Sequence, residues 1–227
     1  MSAAKNPAFV LKTQDYRDTS ILGDFYTRDH GRVRGIVKGV RDTRARFGST
    51  LEPFSLNEIL FYKRKKGDLH LVTQAEMVEE YPRVREDLER LATASYCIEL
   101  VSELVEPEHP DAQLFELLSD TLAFLSEGLS CKRAARIFEV KLLDLLGLMP
   151  ETKTWEAGQA PSQSGGGVSR GTLNFLEHAR REQVKSLYSV KVSQEVGQEL
   201  EKLLRRFTDF HLSHKLKSLV FMEKMGF

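Results

Sequence analysis

AFVLKTQDYRDTSILGDFYTRDHGRVRGIVKGVRDTRARFGSTLEPF, residues 8–54, carries the pattern that decides the fold. It breaks into the strand-like runs AFVLKTQDY (8–16), TSILGDFYT (19–27) and GRVRGIVKGV (31–40), rich in Val, Ile, Leu, Phe, Thr and Tyr at period two. Asp29-His30-Gly31 marks a turn between the second and third. SLNEILFYKR (55–64) and DLHLVTQAEMV (68–78) follow, parted by Lys66-Gly67-Asp68. Five short strands at the front of the chain would leave exposed edges as an open sheet. Closing into a barrel removes those edges, and the five-stranded OB-fold is the expected form.

At Pro82 the texture changes from period two to helical spacing. Helices are predicted over 84–105, 111–128 and 132–147. Asp111 serves as an N-cap, Gly128 as a stop, and Gly147 with Pro150 ends the third. Residues 151–171 are rich in Gly, Ser and Pro and have little hydrophobic period. Helical patterns resume at 172–182 and 193–210, and SHKLKSLVFMEK (213–224) follows them. The fold class is therefore α+β. An OB-fold barrel over 1–81 precedes an all-helical domain over 82–227, with a loop insertion at 148–171.

The 227 residues hold 33 Lys plus Arg against 33 Asp plus Glu, so the net charge points to no partner. The distribution is uneven. Residues 28–46 hold seven cations against Asp29 and Asp42, while residues 76–111 hold eleven carboxylates against three arginines. Cys97 and Cys131 are too few for a disulfide framework or a four-cysteine zinc site. Lys132 and Arg133 beside Cys131 would favour a thiolate, but no base is paired with it. No Walker, nucleophile-elbow or dinucleotide motif is present. Gly165-Gly166-Gly167 follows no strand and precedes no Lys. His211 and His214 at i, i+3 lack a third ligand. No catalytic group, metal or cofactor is expected. No apolar run approaches the roughly 20 residues of a bilayer span, so a cytoplasmic chain without membrane contact is expected.

The cations fall in three places. Arg32, Arg34, Lys38, Arg41, Arg44 and Arg46 flank and fill one loop, with Arg28 before them. Lys63, Arg64, Lys65 and Lys66 occupy a hairpin tip. Lys202, Arg205, Arg206, Lys215 and Lys217 are spread over the last helices. Charged tips and helix faces also arise simply from solvation, and composition leaves both readings open. Two clusters on one small barrel favour a groove for a nucleic-acid backbone, with Phe47, Phe54, Phe61 and Tyr62 beside it as stacking platforms or core. Such binding is mostly counterion release and needs no sequence readout.

The same residues resemble the N-terminus of the bacterial RecO family of DNA repair proteins. The matching elements, in order, are Ala8-Phe9-Val10-Leu11, Tyr16-Arg17-Asp18-Thr19-Ser20, Gly31-Arg32-Val33, Val37-Lys38-Gly39-Val40-Arg41 and Leu51-Glu52-Pro53-Phe54. Tyr96–Leu100, Leu114–Leu118, the R-x-F-E helix at Arg136–Glu139 and His214–Ser218 continue the likeness. Many members carry two C-x-x-C pairs after that helix. Residues 148–175 contain no cysteine, so the zinc ribbon is expected to be degenerate and metal-free. The resemblance implies a recombination mediator without catalytic turnover, cytoplasmic and nucleoid-associated. It implies binding of single- and double-stranded DNA, annealing of complementary strands, and loading of RecA with the partner RecR on DNA coated by single-strand-binding protein. The alternative is a protein–protein adaptor with little DNA affinity. DNA contact is assigned to Arg32, Arg34, Lys38, Arg41, Arg44, Arg46, Lys63, Arg64, Lys65, Lys66, Lys215 and Lys217. The acidic, Phe-ended tail of single-strand-binding protein is assigned to Arg136, Lys132 and Arg133, with Phe115 as a pocket wall or as plain helix core.

Overall fold

The computed structural model of the chain describes residues 3–17, 19–38, 51–64, 68–149 and 168–227. Its first part is a closed barrel of β1 (Ala3–Tyr16), β2 (Ser20–Thr27), β3 (Gly31–Val37), β4 (Leu56–Tyr62) and β5 (Leu69–Glu79). The order around the barrel is β1-β2-β3-β5-β4, closed by β4 pairing with β1. All pairs are antiparallel except β3 with β5. This is the expected OB-fold barrel.

β1 is longer than the predicted strand because it closes the barrel. Ala3–Phe9 pairs with β4 and Ala8–Tyr16 with β2, and the register shifts between Val10 and Lys12. Such a bulge lets one strand turn a barrel corner. Pro7 lacks an N–H, and its carbonyl accepts from the Arg28 N–H at 3.0 Å. Alternation sends Ala8, Val10, Phe25, Val33, Val37, Ile59, Phe61, Val72 and Ala75 into the barrel interior.

The opposite face of β1 and β2 also carries buried residues, Phe9, Leu11 and Tyr26, which belong to the core of the helical part. That part contains α1 (Pro82–Glu86), α2 (Leu88–Leu104), α3 (Ala112–Ser126), α4 (Cys131–Leu145), α5 (Arg170–Arg181), α6 (Val184–Leu187), α7 (Gln194–His211) and α8 (Lys217–Met225). The predicted 84–105 helix is two helices, because Asp87 is extended and caps α2 through the Arg90 N–H. Asp111 accepts from the N–H groups of Gln113 and Leu114, as an N-cap should. Ser169 caps α5, so the predicted loop ends before 171; residues 150–167 lie outside the described residues. α6 is too short for periodicity to reveal. Ser213 and His214 lie in a turn before α8, with His214 Nε2 3.7 Å from a Glu103 carboxylate oxygen.

The two parts meet along a seam built by polar groups around the shared core. Tyr26 Oη donates to the Asp111 carbonyl at 3.3 Å and accepts from its N–H at 3.2 Å. Burial, with the Asp111 carboxylate adding to it, pushes the Tyr26 phenol up to about 12. Pro107 bridges to Arg32 beside β3, and the Glu108 N–H donates to the Arg32 carbonyl at 2.9 Å. Gly31 (φ 64°) lies under His109 so closely that a Cβ there would stand 2.4 Å from its backbone carbonyl carbon.

Candidate functional site

The register of the barrel brings parts of the first two cation clusters together. On β3, Arg32 and Arg34 alternate with the buried Gly31, Val33 and Gly35, and the strand ends in buried Ile36 and Val37. Arg34 pairs with Leu69 at the start of β5, and Leu71 on the other flank of β5 pairs with Tyr62, just before Lys63 and Arg64. Arg34 and the end of β4 therefore flank one strand, about 10 Å apart at ordinary strand spacing. Arg34, Lys38 and Arg64 are exposed. Arg41, Arg44, Arg46, Lys65 and Lys66 lie outside the described residues.

Arg32 corrects the sequence assignment. Its guanidinium donates to the carbonyls of Ser102 and Val105, the latter at 3.0 Å, and stands 3.6 Å from Asp24. These groups hold the seam, so Arg32 is not available to a phosphate. Lys63 is partly engaged as well, 3.5 Å from Glu108. The other Glu108 oxygen is 3.1 Å from Nε2 of buried His70. His70 Nδ1 accepts the Arg64 N–H at 3.3 Å, so Nε2 carries the proton and donates. This chain of contacts fixes the backbone direction at Arg64. Of the aromatic residues beside the cations, Phe61 is fully buried in the barrel and is no stacking platform. Phe54 is half-buried against the helical core, and Tyr62 is half-buried at the end of β4.

A second site forms in the helical part, where α4, α5, α7 and α8 enclose a cavity of about 390 Å³. Its lining includes Lys132, Arg133, Arg136, Phe175, Arg205 and Phe227. Sequence reasoning assigns the first three of these and misses Phe175, Arg205 and Phe227 as cavity residues. Arg205 is visible in the sequence only as one of several scattered cations. Lys132 and Arg133 sit in the first turn of α4, capped by Ser130. Cations there add to the positive end of the helix, and an incoming carboxylate relieves that repulsion. Arg133 also donates to the Tyr188 carbonyl at 2.9 Å.

Arg136 is mostly sunk in the cavity floor rather than exposed. Its guanidinium lies 2.9 Å from Glu139, which is 1% exposed and also accepts from Tyr96 Oη. Burial pushes the Glu139 carboxyl up, and the Arg136 guanidinium beside it opposes that shift. Phe115 is a second correction. It is buried against Phe9 at 4.9 Å between ring centroids, with Arg28 over its face, and belongs to the seam instead of the cavity. Cys131 sits near the cavity, but burial raises its thiol, the reverse of activation. Lys215 is 2.6 Å from Glu223, and exposed Lys217 opens α8; both are remote in sequence from the barrel cations. Among the described residues no group of His, Cys, Asp and Glu is arranged to hold a metal. Both cysteines are buried in helices, so no cysteine-built zinc site exists.

Sequence comparison gives this geometry its context. Residues 1–81 match the family Recombination protein O N terminal, and residues 85–220 match Recombination protein O C terminal. The chain belongs to the recombination protein O family. It is 30% identical to the DNA repair protein RecO of Syntrophus aciditrophicus over 247 residues, covering 97% of this chain and 95% of that one. It is also 30% identical to the RecO proteins of Pelotomaculum thermopropionicum, over 100% of this chain and 96% of that one, and of Desulforamulus reducens, over 99% and 96%. Membership of the RecO family places the chain in DNA repair and recombination. No helix among the described residues is long and apolar enough to cross a membrane.

Proposed function

We propose that this chain is a non-catalytic recombination mediator. It binds single- and double-stranded DNA through the barrel, anneals complementary strands, and with RecR helps load RecA on DNA coated by single-strand-binding protein. The observation that carries the DNA reading is the β3-β5-β4 register, which sets exposed Arg34 on one flank of β5 and the end of β4, two residues before exposed Arg64, on the other. In the sequence, Arg41, Arg44 and Arg46 follow β3, and Lys65 and Lys66 follow Arg64. Cations spaced along a barrel edge neutralise a backbone without reading bases.

The helical cavity receives the acidic, Phe-ended tail of single-strand-binding protein. Support comes from the combination of an aromatic-lined space with Lys132, Arg133 and Arg205 around it. Arg136 shapes the floor from its pair with Glu139. The test is annealing of complementary oligonucleotides, bare and coated with single-strand-binding protein. Acceleration in both cases is expected. Acceleration of the coated strands alone would replace this reading with a protein adaptor, and acceleration of neither would refute it.

A further inference from the structure

Phe227 does not run on from α8; the chain turns back. Gly226 (φ 77°) takes the left-handed conformation, and the Phe227 N–H donates to the Met222 carbonyl at 3.1 Å. This is the helix-ending turn that a glycine permits. It lays half-buried Phe227 against the cavity that Lys132, Arg133, Arg136 and Arg205 also line. Four residues earlier, Glu223 accepts from Arg205 and, at 2.6 Å, from Lys215. The chain's own segment thus places a carboxylate on a cavity cation and an aromatic ring on the cavity wall. An acidic peptide ending in Phe would present those same two groups.

We propose that Glu223 and Phe227 form an internal stand-in for that peptide and must give way when it binds. The proposal rests on the cavity being the peptide site. A ring tethered to the cavity wall competes at an effective concentration on the order of millimolar. If the ring holds its place about nine-tenths of the time, the apparent Kd of the peptide is raised about tenfold. Withdrawal of Glu223 would also release Arg205 to the incoming carboxylates.

The test is fluorescence anisotropy of a labelled acidic peptide ending in Phe, titrated with the chain, Phe227→Ala, Phe227→Leu and Glu223→Gln. Urea midpoints confirm that each variant is folded. Phe227→Ala is expected to bind about 3–10-fold tighter, with Phe227→Leu and Glu223→Gln tighter by smaller factors. Binding detected for Phe227→Ala alone would also support the proposal. If the unaltered chain binds and Phe227→Ala binds equally or more weakly, the ring is a wall and the proposal is overturned, while the cavity remains the peptide site. If no form binds, the peptide reading fails and the stand-in fails with it.

Discussion

Replacing Gly31 by alanine should pry the barrel from the helices. The substitution acts twice. Gly31 has φ 64°, where an L-residue costs about 1 kcal/mol relative to glycine. The new Cβ would also stand 2.4 Å from the His109 carbonyl carbon and 2.6 Å from its nitrogen, about 1 Å inside ordinary contact. Both are backbone atoms, so no side chain can swing away. Moving the 107–109 segment outward breaks the Glu108 N–H bond to the Arg32 carbonyl, now 2.9 Å, and disturbs the Arg32 bonds to Ser102 and Val105. One neutral and part of two charge-assisted hydrogen bonds add about 2–4 kcal/mol, for a total of about 3–5 kcal/mol. Gly147 provides the control. Its φ is 67°, and a Cβ added there would meet nothing within 4 Å, so Gly147→Ala should cost only about 1 kcal/mol. Urea unfolding followed by far-ultraviolet circular dichroism measures both. Equal losses for the two variants would refute the seam argument, since backbone conformation alone would then account for Gly31.

Two further changes probe the helical part. Glu139→Ala strands the mostly buried Arg136 and removes the acceptor of Tyr96 Oη, and should cost about 3–5 kcal/mol. Replacing Arg136 and Glu139 together by Met and Leu should recover most of that loss in urea unfolding; additive losses would contradict the pairing. Glu99 caps α8, accepting the Lys217 N–H at 3.0 Å, the Ser218 N–H at 2.8 Å and the Ser218 hydroxyl. Burial alone would raise its carboxyl, but these bonds outweigh burial and hold it below the usual glutamate range. The stabilisation is then complete above the unfolded pKa and lost as pH falls through the folded one. The thermal midpoint of Glu99→Gln should lie below that of the unaltered chain at pH 7, with the gap closing in acid; a gap independent of pH would exclude the charged cap.

Much of the barrel is readable from sequence because alternation, turn residues and edge avoidance agree from Phe9 to Val78. The N-terminal half of β1 is not, because Ala3-Ala4-Lys5-Asn6-Pro7 has no strand signature and pairs only through closure onto β4. Helices announce themselves through Asp111, Gly128 and Gly147, whereas the break at Asp87 is a local cap inside a continuous helical pattern. Charge tells less than pattern does. Arg32 and Arg34 are alike in sequence, yet one is held by carbonyls of α2 and its exit while the other faces solvent. Partners contributed by residues some 70 positions away leave no mark beside an arginine. Phe227 escapes for a similar reason: its place in the cavity depends on the turn at Gly226 and on α4 and α7.

The proposed role rests on DNA-backbone binding by the barrel, and its most direct test is the affinity for a single-stranded oligonucleotide across a salt series. With Arg34, Lys38, Lys63 and Arg64 each neutralising one phosphate, log K should fall against log salt with a slope of about −3, or more steeply with the cations of 41–46. In the triple variant Arg34→Gln, Lys38→Gln, Arg64→Gln the slope should flatten by about 2 with the fold intact. An affinity that is absent at low salt, or unchanged across the series, would contradict it.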